Sequence, residues 1–283
     1  MFTRLVGAIV RSIMIVIVIL TPSLLSPGAT AENAQVITLV ALAFAFVVAF
    51  EYGAKYPGLI EFRDAPPINR IRVVALFLML FGLSVVASVD GEGSTLAMVV
   101  TALGYLIGHA LDFPSSPLRL VLEHLPTGVD PAIAGQVQAM AGLSVLITLV
   151  SLFVFSALIR TRNWPNRGSA FNVWVNLPTF DPTAGGDVIK RLVRDGRVNV
   201  IFGICSPFVV PVVAVMAANQ LQVPVLGSSQ TMVWAVTLWM FFPLSLILRG
   251  LAMLRIARMI KARRARLVAS VDADAPRGMA VPS

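Results

Sequence analysis

Charge is the scarcest commodity in this sequence. Only 13% of its 283 residues are Asp, Glu, Lys or Arg, against about 25% in an ordinary soluble domain. The charges that exist gather into short segments with long uncharged runs between them, which is how a membrane protein reads. The longest polar stretch, Arg160 to Arg197, is too short and interrupted to fold as an independent domain. Cysteine is almost missing as well. The lone Cys205 excludes an intrachain disulfide, and within an apolar run it reads as a small buried packing residue.

Imidazoles are equally few. His109 and His124 are the only ones, and the chain contains neither an H-E-x-x-H nor a G-x-S-x-G pattern. The glycine-bearing Asp181 to Asp187 is not followed by G-K-[ST], so it reads as a turn leading into a helix cap rather than a phosphate cradle. No catalytic, cofactor-binding or metal-binding residue is therefore assigned. A non-catalytic protein is expected ahead of an enzyme.

What is present is apolar: 57% hydrophobic residues and a mean hydropathy of +0.86. A bilayer core about 30 Å thick takes roughly 17 to 25 helical residues to cross. Seven segments meet or approach that length, at about 5–26, 34–53, 73–89, 95–111, 138–159, 198–219 and 229–248. They are continuous rather than alternating, which excludes a β-barrel, and unpaired backbone in lipid forces them into helices. The expectation is an all-α, polytopic transmembrane bundle occupying 1–268 as one domain. A tail at 269–283 follows, with the composition of a disordered end. The first segment has two readings. Arg4 and Arg11, an apolar core and Ala29-Thr30-Ala31 are ordered like a signal peptide; an uncleaved helix kinked near Pro22 is the reading favoured here.

Three amphipathic stretches lie outside these segments and are expected to be short interfacial helices. Pro117 to Leu125 sets Leu118, Val121, Leu122 and Leu125 on one side, with Ser116 as cap and Pro117 at the first position. Asp187 to Asp195 sets Val188, Ile189, Leu192 and Val193 against Lys190, Arg191 and Arg194, with Gly196 as a stop. Arg249 to Val268 sets Met253, Ile256, Ile260 and Leu267 against Arg255, Arg258, Lys261 and Arg263.

The formal charge of +8 sits beside hydrophobic segments, so it reflects the positive-inside bias rather than a nucleic-acid surface. The basic residues Lys190, Arg191, Arg194, Arg255, Arg258 and Lys261 are expected to face anionic lipid headgroups. Both the tail and the 160–197 loop are strongly basic and belong in the cytoplasm, with the protein in the inner membrane. The basic 55–72 loop conflicts with them, since three hydrophobic segments intervene. Seven crossings would strand that loop outside. Making 95–111 re-entrant would leave six crossings and 21 of the 22 basic residues inside. Seven crossings are the expectation taken here.

Ionisable residues within or beside membrane segments are the remaining functional candidates. His109 and Asp112, three residues apart, could relay protons, or the histidine could simply favour a helix C-terminus. Glu51 could handle protons, or pair with Lys55 four residues on. Gly104 and Gly108 form a GxxxG suited to close helix packing. Pro207 and Pro211 remove two backbone donors and are expected to kink the sixth segment, while Trp234 and Trp239 are expected at the interface. Together these features suggest an accessory, assembly or packing component that contacts other membrane proteins. A small proton-coupled transporter using the kinked segment is the alternative, and a membrane-embedded enzyme comes third.

Overall fold

Long apolar runs without competing turn residues leave the backbone one way to satisfy its own polar groups, and the chain takes it. A computed structural model describes residues 2–26, 31–56, 58–88, 94–125, 129–161, 164–165, 176–181, 185–221 and 227–274. Among them are eight helices: α1 (Phe2–Leu25), α2 (Ala31–Gly53), α3 (Ile68–Ala87), α4 (Thr95–Leu111), α5 (Pro117–Glu123), α6 (Pro131–Thr161), α7 (Val188–Leu221) and α8 (Ser229–Asp274). No strand occurs among the described residues. Six of the helices, α1, α2, α3, α6, α7 and α8, are long and apolar enough to cross a membrane, and α4 falls short at 17 residues.

Contacts between distant loops fix which way each helix runs. The Phe62 N–H donates to the Asn176 carbonyl (2.6 Å), and the Trp164 indole donates to the Pro66 carbonyl (2.9 Å). The 55–72 loop and the 164–181 segment therefore meet at one end of the bundle, here termed the basic end. From there α3 runs to the far end, where the Val86 carbonyl accepts from Gln136 of α6 (3.3 Å). Then α6 runs back, reaching the basic end where Phe155 meets Trp164 edge-on with ring centroids 5.9 Å apart. Both ends of the α4–α5 excursion consequently lie at the far end, so α4 does not carry the chain from one end of the bundle to the other. Of the seven expected segments, six form helices long and apolar enough to cross, and the hydrogen-bonded loops place an even number of end-to-end passages, α3 and α6, between them.

The short α4 is held by close packing. In α4, a Cβ built at Gly104 would lie 2.4 Å from the Ala139 carbonyl oxygen, and one at Gly108 would lie 2.5 Å from that of Gln138. From the other side, a Cβ at Gly142 would lie 2.2 Å from the Gly104 oxygen. The GxxxG thus lets α4 press its backbone onto α6 within one chain. At the α7–α8 contact, a Cβ on Gly250 would sit 2.6 Å from the Gly196 oxygen.

That second contact overturns several expectations. Gly196 is not a stop: α7 passes through it, because the residue's small size serves packing against α8 rather than a left-handed cap. The stretches 187–195 and 249–268 are continuations of the long helices α7 and α8, so they are not separate helices lying flat. Ala269 to Asp274, expected to begin a disordered tail, are helical, and 275–283 lie outside the described residues. Only α5 forms as a short amphipathic helix. Ser116 caps it by accepting from the Arg119 N–H (2.9 Å), with Pro117 in the first turn and Leu118 buried. Cys205 is exposed rather than buried.

Candidate functional site at the basic end

The polar chemistry of the protein concentrates around the 55–72 loop, which folds back on the end of α2 and reaches α7 and α8 through the Glu61–Arg249 pair. It starts with helix α2, whose last turn leaves carbonyls without partners. Arg63 supplies them: its guanidinium donates to the carbonyls of Glu51 (2.7 Å), Ala54 (2.8 Å) and Lys55 (3.4 Å), and it pairs with Asp64 (3.2 Å). A cation is also favoured at a helix C-terminus by the dipole. Glu51 completes the same turn from its side chain. Its carboxylate accepts the N–H groups of Gly58, Leu59 and Ile60 at 3.0 Å each.

Glu51 is buried and therefore engaged in folding the loop back over α2. It does not pair with Lys55, whose ammonium instead lies 5.5 Å from the Tyr56 ring; the expected i,i+4 bridge loses to three backbone donors that have no other partner. Replacing Glu51 by Gln should cost about 1–3 kcal/mol, since a neutral amide oxygen accepts from the three N–H groups more weakly than the charged Oε2 does, and the NH2 that replaces Oε1 would face the Gly58 N–H. Thermal unfolding of the purified variant measures this.

A second carboxylate organises the other elements. Glu61 makes a two-pronged pair with Arg249 of α8, at 2.6 Å from Nε and 2.9 Å from Nη2. The Thr179 hydroxyl also donates to Glu61, and Arg249 reaches Asn199 Oδ1 of α7 (3.1 Å). Glu61 is 10% exposed and Arg249 27%. On α3, Asn69 donates to the Glu61 carbonyl (2.7 Å), and Arg72 donates to the Ser245 carbonyl of α8 (3.0 Å). One carboxylate thus ties the loop to α8 and the 176–181 segment, and its guanidinium partner extends the tie to α7. Among the described residues no group of three His, Cys, Asp or Glu side chains could hold a metal ion. The arrangement is built of ion pairs, amides and the Thr179 hydroxyl held on the Glu61 carboxylate.

The structure distributes the sequence candidates differently. His109 is exposed on α4, and Asp112 pairs with Arg119 of α5 (3.4 Å), which also meets Glu123 (2.8 Å). Asp112 thereby fastens the α4–α5 turn. Pro207 and Pro211 do not break α7. Each frees a carbonyl four residues earlier, and each carbonyl finds a side chain: Gly203 accepts from the Ser206 hydroxyl (3.3 Å), Pro207 from the Trp239 indole (2.9 Å). Trp239 is accordingly buried inside the bundle, away from the interface expected for it.

The basic candidates also divide. Arg255 donates to the Trp164 carbonyl (2.9 Å), Arg191 stacks over Phe180 at 4.8 Å, and Arg194 pairs with Asp195 (3.0 Å). Lys190, Arg258 and Lys261 are exposed. At the start of α7, Asp187 caps the helix by accepting the Ile189 N–H (3.2 Å) and pairs with Arg264 of α8 (3.0 Å). These contacts hold its carboxyl below the usual range, the backbone bond being the larger cause.

The residues that sequence reasoning passed over are Glu61, Arg72, Thr179, Asn199 and Arg249. Arg72 and Arg249 border hydrophobic segments, where they counted only as orientation charges. The one signal available was an acidic residue, Glu61, in an otherwise basic loop. No family model matches the chain, and no solved structure matches it. Over 119 residues it is 34% identical to a protein named D-ribose pyranase from Paracidovorax citrulli (strain AAC00-1), a stretch covering 40% of this chain and 84% of that protein. More than half of the chain therefore has no counterpart in that relative.

Proposed function

We propose that this protein is a six-pass inner-membrane protein with both termini in the cytoplasm, acting as a non-catalytic accessory or assembly component of a membrane complex. The observation that carries the reading is how the ionisable groups at the basic end are used. Glu51, Glu61, Arg63 and Arg249 are all occupied in joining elements of the chain itself. None is held apart with an unoccupied bonding position, as general acid–base work or ion relay requires. The carbonyls freed by Pro207 and Pro211 are likewise taken by the chain's own side chains, which argues against a helix opened for transport.

Six crossings would put 21 of the 22 basic residues on one side, and the positive-inside rule makes that side the cytoplasm. Exposed Lys190, Arg258 and Lys261 are then placed to meet anionic headgroups. The apolar α2 packs along α1 and leaves Phe46 72% and Leu39 68% exposed, a surface for lipid or for another membrane protein. The likeness to D-ribose pyranase leaves more than half of the chain uncovered, and no pyranase activity is proposed.

Topology gives the first test. Reporters inserted at 57 and at 170 should be active on the same side of the membrane, the cytoplasmic one, and a reporter at 127 on the opposite side. Opposite activities for 57 and 170 would restore seven crossings. For the role itself, extraction in native lipid discs should yield the protein with a stoichiometric membrane partner. Isolation of the protein alone, with pH-driven solute uptake in liposomes, would favour the transporter.

A further inference from the structure

Many Ser and Thr side chains within these helices turn back onto their own backbone. Ser12, Thr21, Thr38, Ser84 and Thr148 all donate to the carbonyl four residues earlier at 2.6–3.0 Å, the usual recourse of a hydroxyl in an apolar helix. Helix α8 departs from this habit. Among the described residues, the buried atoms Gln230 Oε1, Trp234 Nε1, Thr237 Oγ1 and Ser245 Oγ have no hydrogen-bond partner. Gln230 is 4% exposed and Thr237 0%.

These four recur at i, i+4, i+7 and i+15, which is one side of a helix with 3.6 residues per turn. Two hydrogen bonds identify what faces that side. Gln230 donates through Nε2 to Ser23 Oγ of α1 (2.6 Å), and Arg72 of α3 donates to the Ser245 carbonyl (3.0 Å). Each neighbour brings one more partnerless atom, Ser26 Oγ and Arg72 Nε. Orphaned polar atoms are costly where no bulk water reaches, and native interiors tolerate only a few. Four along one stripe, with one more beside each facing helix, call for a common occupant.

The chemistry of the stripe defines that occupant. An indole N–H only donates, an amide oxygen only accepts, and a hydroxyl does both. The stripe mixes donor-only groups, the Trp234 indole and Arg72 Nε, with the acceptor-only Gln230 Oε1 and two α8 hydroxyls, so the occupant must itself both donate and accept, as water does. We infer that α8 carries a hydrated seam through the bundle, with bound water held by Gln230, Trp234 and Thr237 in the far half and by Ser245 and Arg72 near the basic end. Phe241, at i+11 on the same stripe, stands between the two stations. Water bridging two to four such groups is the normal solution for buried polar sites, and this one is independent of any accessory role.

The full chain in lipid nanodiscs, irradiated to generate hydroxyl radicals in ¹⁸O-labelled water, reads the seam directly. Trp234 should take up label several-fold faster than Trp239, whose N–H is already bonded to Pro207. The sign of a second measurement discriminates further. With water present, Thr237→Val removes a hydrogen-bonded hydroxyl and should lower Tm on the order of 2–4 °C. In a dry seam the same near-isosteric change relieves an orphaned group and raises Tm. Labelling of Trp234 no faster than Trp239, or a higher Tm for Thr237→Val, overturns the inference.

Discussion

Gly142→Leu is expected to pull α4 off α6 and to leave a protein that accumulates poorly or unfolds well below the parent temperature. The α4–α6 contact is backbone on backbone: a bare Cβ at this position would already stand 2.2 Å from the Gly104 oxygen and 2.4 Å from the Gly108 nitrogen. A flexible side chain could turn away, but these atoms belong to a helix and move only with it. Overpacking ordinarily costs about 1–3 kcal/mol and sometimes more. Without side-chain give, the upper end applies, a fall in Tm on the order of 6–12 °C. Gly53→Ala is the control, since nothing lies within 4 Å of a Cβ there. It should be neutral or slightly stabilising through the helical preference of alanine. A Gly142→Leu protein with unchanged Tm would mean that α4 is not seated on α6 as described.

Removing Arg249 is the other change of large effect. Arg249→Met leaves the Glu61 carboxylate 90% shielded, with the Thr179 hydroxyl bonded to it and the Arg72 guanidinium acting on it only electrostatically. Breaking a buried pair from one side costs about 3–5 kcal/mol, because the surviving charge stays unpaired. Arg249 is partly exposed, so about 3 kcal/mol is the expected loss. Removing both charges together, as Arg249→Met with Glu61→Leu, should recover much of it, since apolar replacements of a buried pair are often neutral. Thermal unfolding of the two single variants and the double variant gives the coupling between them. Additive losses, with no recovery in the double variant, would show that the pair is not what joins the 55–72 loop to α8. The same variants also test the role proposed for this end. If Arg249 served catalysis or ion relay, a conservative Arg249→Lys would abolish activity while sparing the fold. As a structural tie, it should lose part of the stability, because a single ammonium cannot reproduce the two-pronged contact.

Legibility followed the range of each interaction. The runs around Leu76 to Val86 and Val145 to Phe155 announce helices because the bilayer and the backbone's own hydrogen bonds leave one conformation, a local matter. The cap on α5 was equally local, needing only Ser116 and Pro117 in sequence. Glycine could not be interpreted the same way. Gly196 has the surroundings of a helix stop, yet it is crossed by α7 because the helix that needs its small size, through Gly250, lies more than fifty residues away. Carboxylates misled for the same reason. Lys55 is near Glu51 in sequence, but the donors that win are backbone N–H groups brought round by a loop, and no periodicity reveals where a loop will turn.

By itself, then, the sequence determined the all-helical class of the protein and the apolar core of each long helix, since both depend on composition over windows of about twenty residues. The tertiary structure alone decided that 95–111 does not run from end to end of the bundle, that Glu61 and Arg249 meet across 188 positions, and that α8 turns a polar stripe toward α1 and α3. Crossing parity depends on which loops share an end of the bundle, and loops meet through hydrogen bonds between residues a hundred positions apart. Those contacts have no signature in any single segment, because each partner is unremarkable until the other arrives.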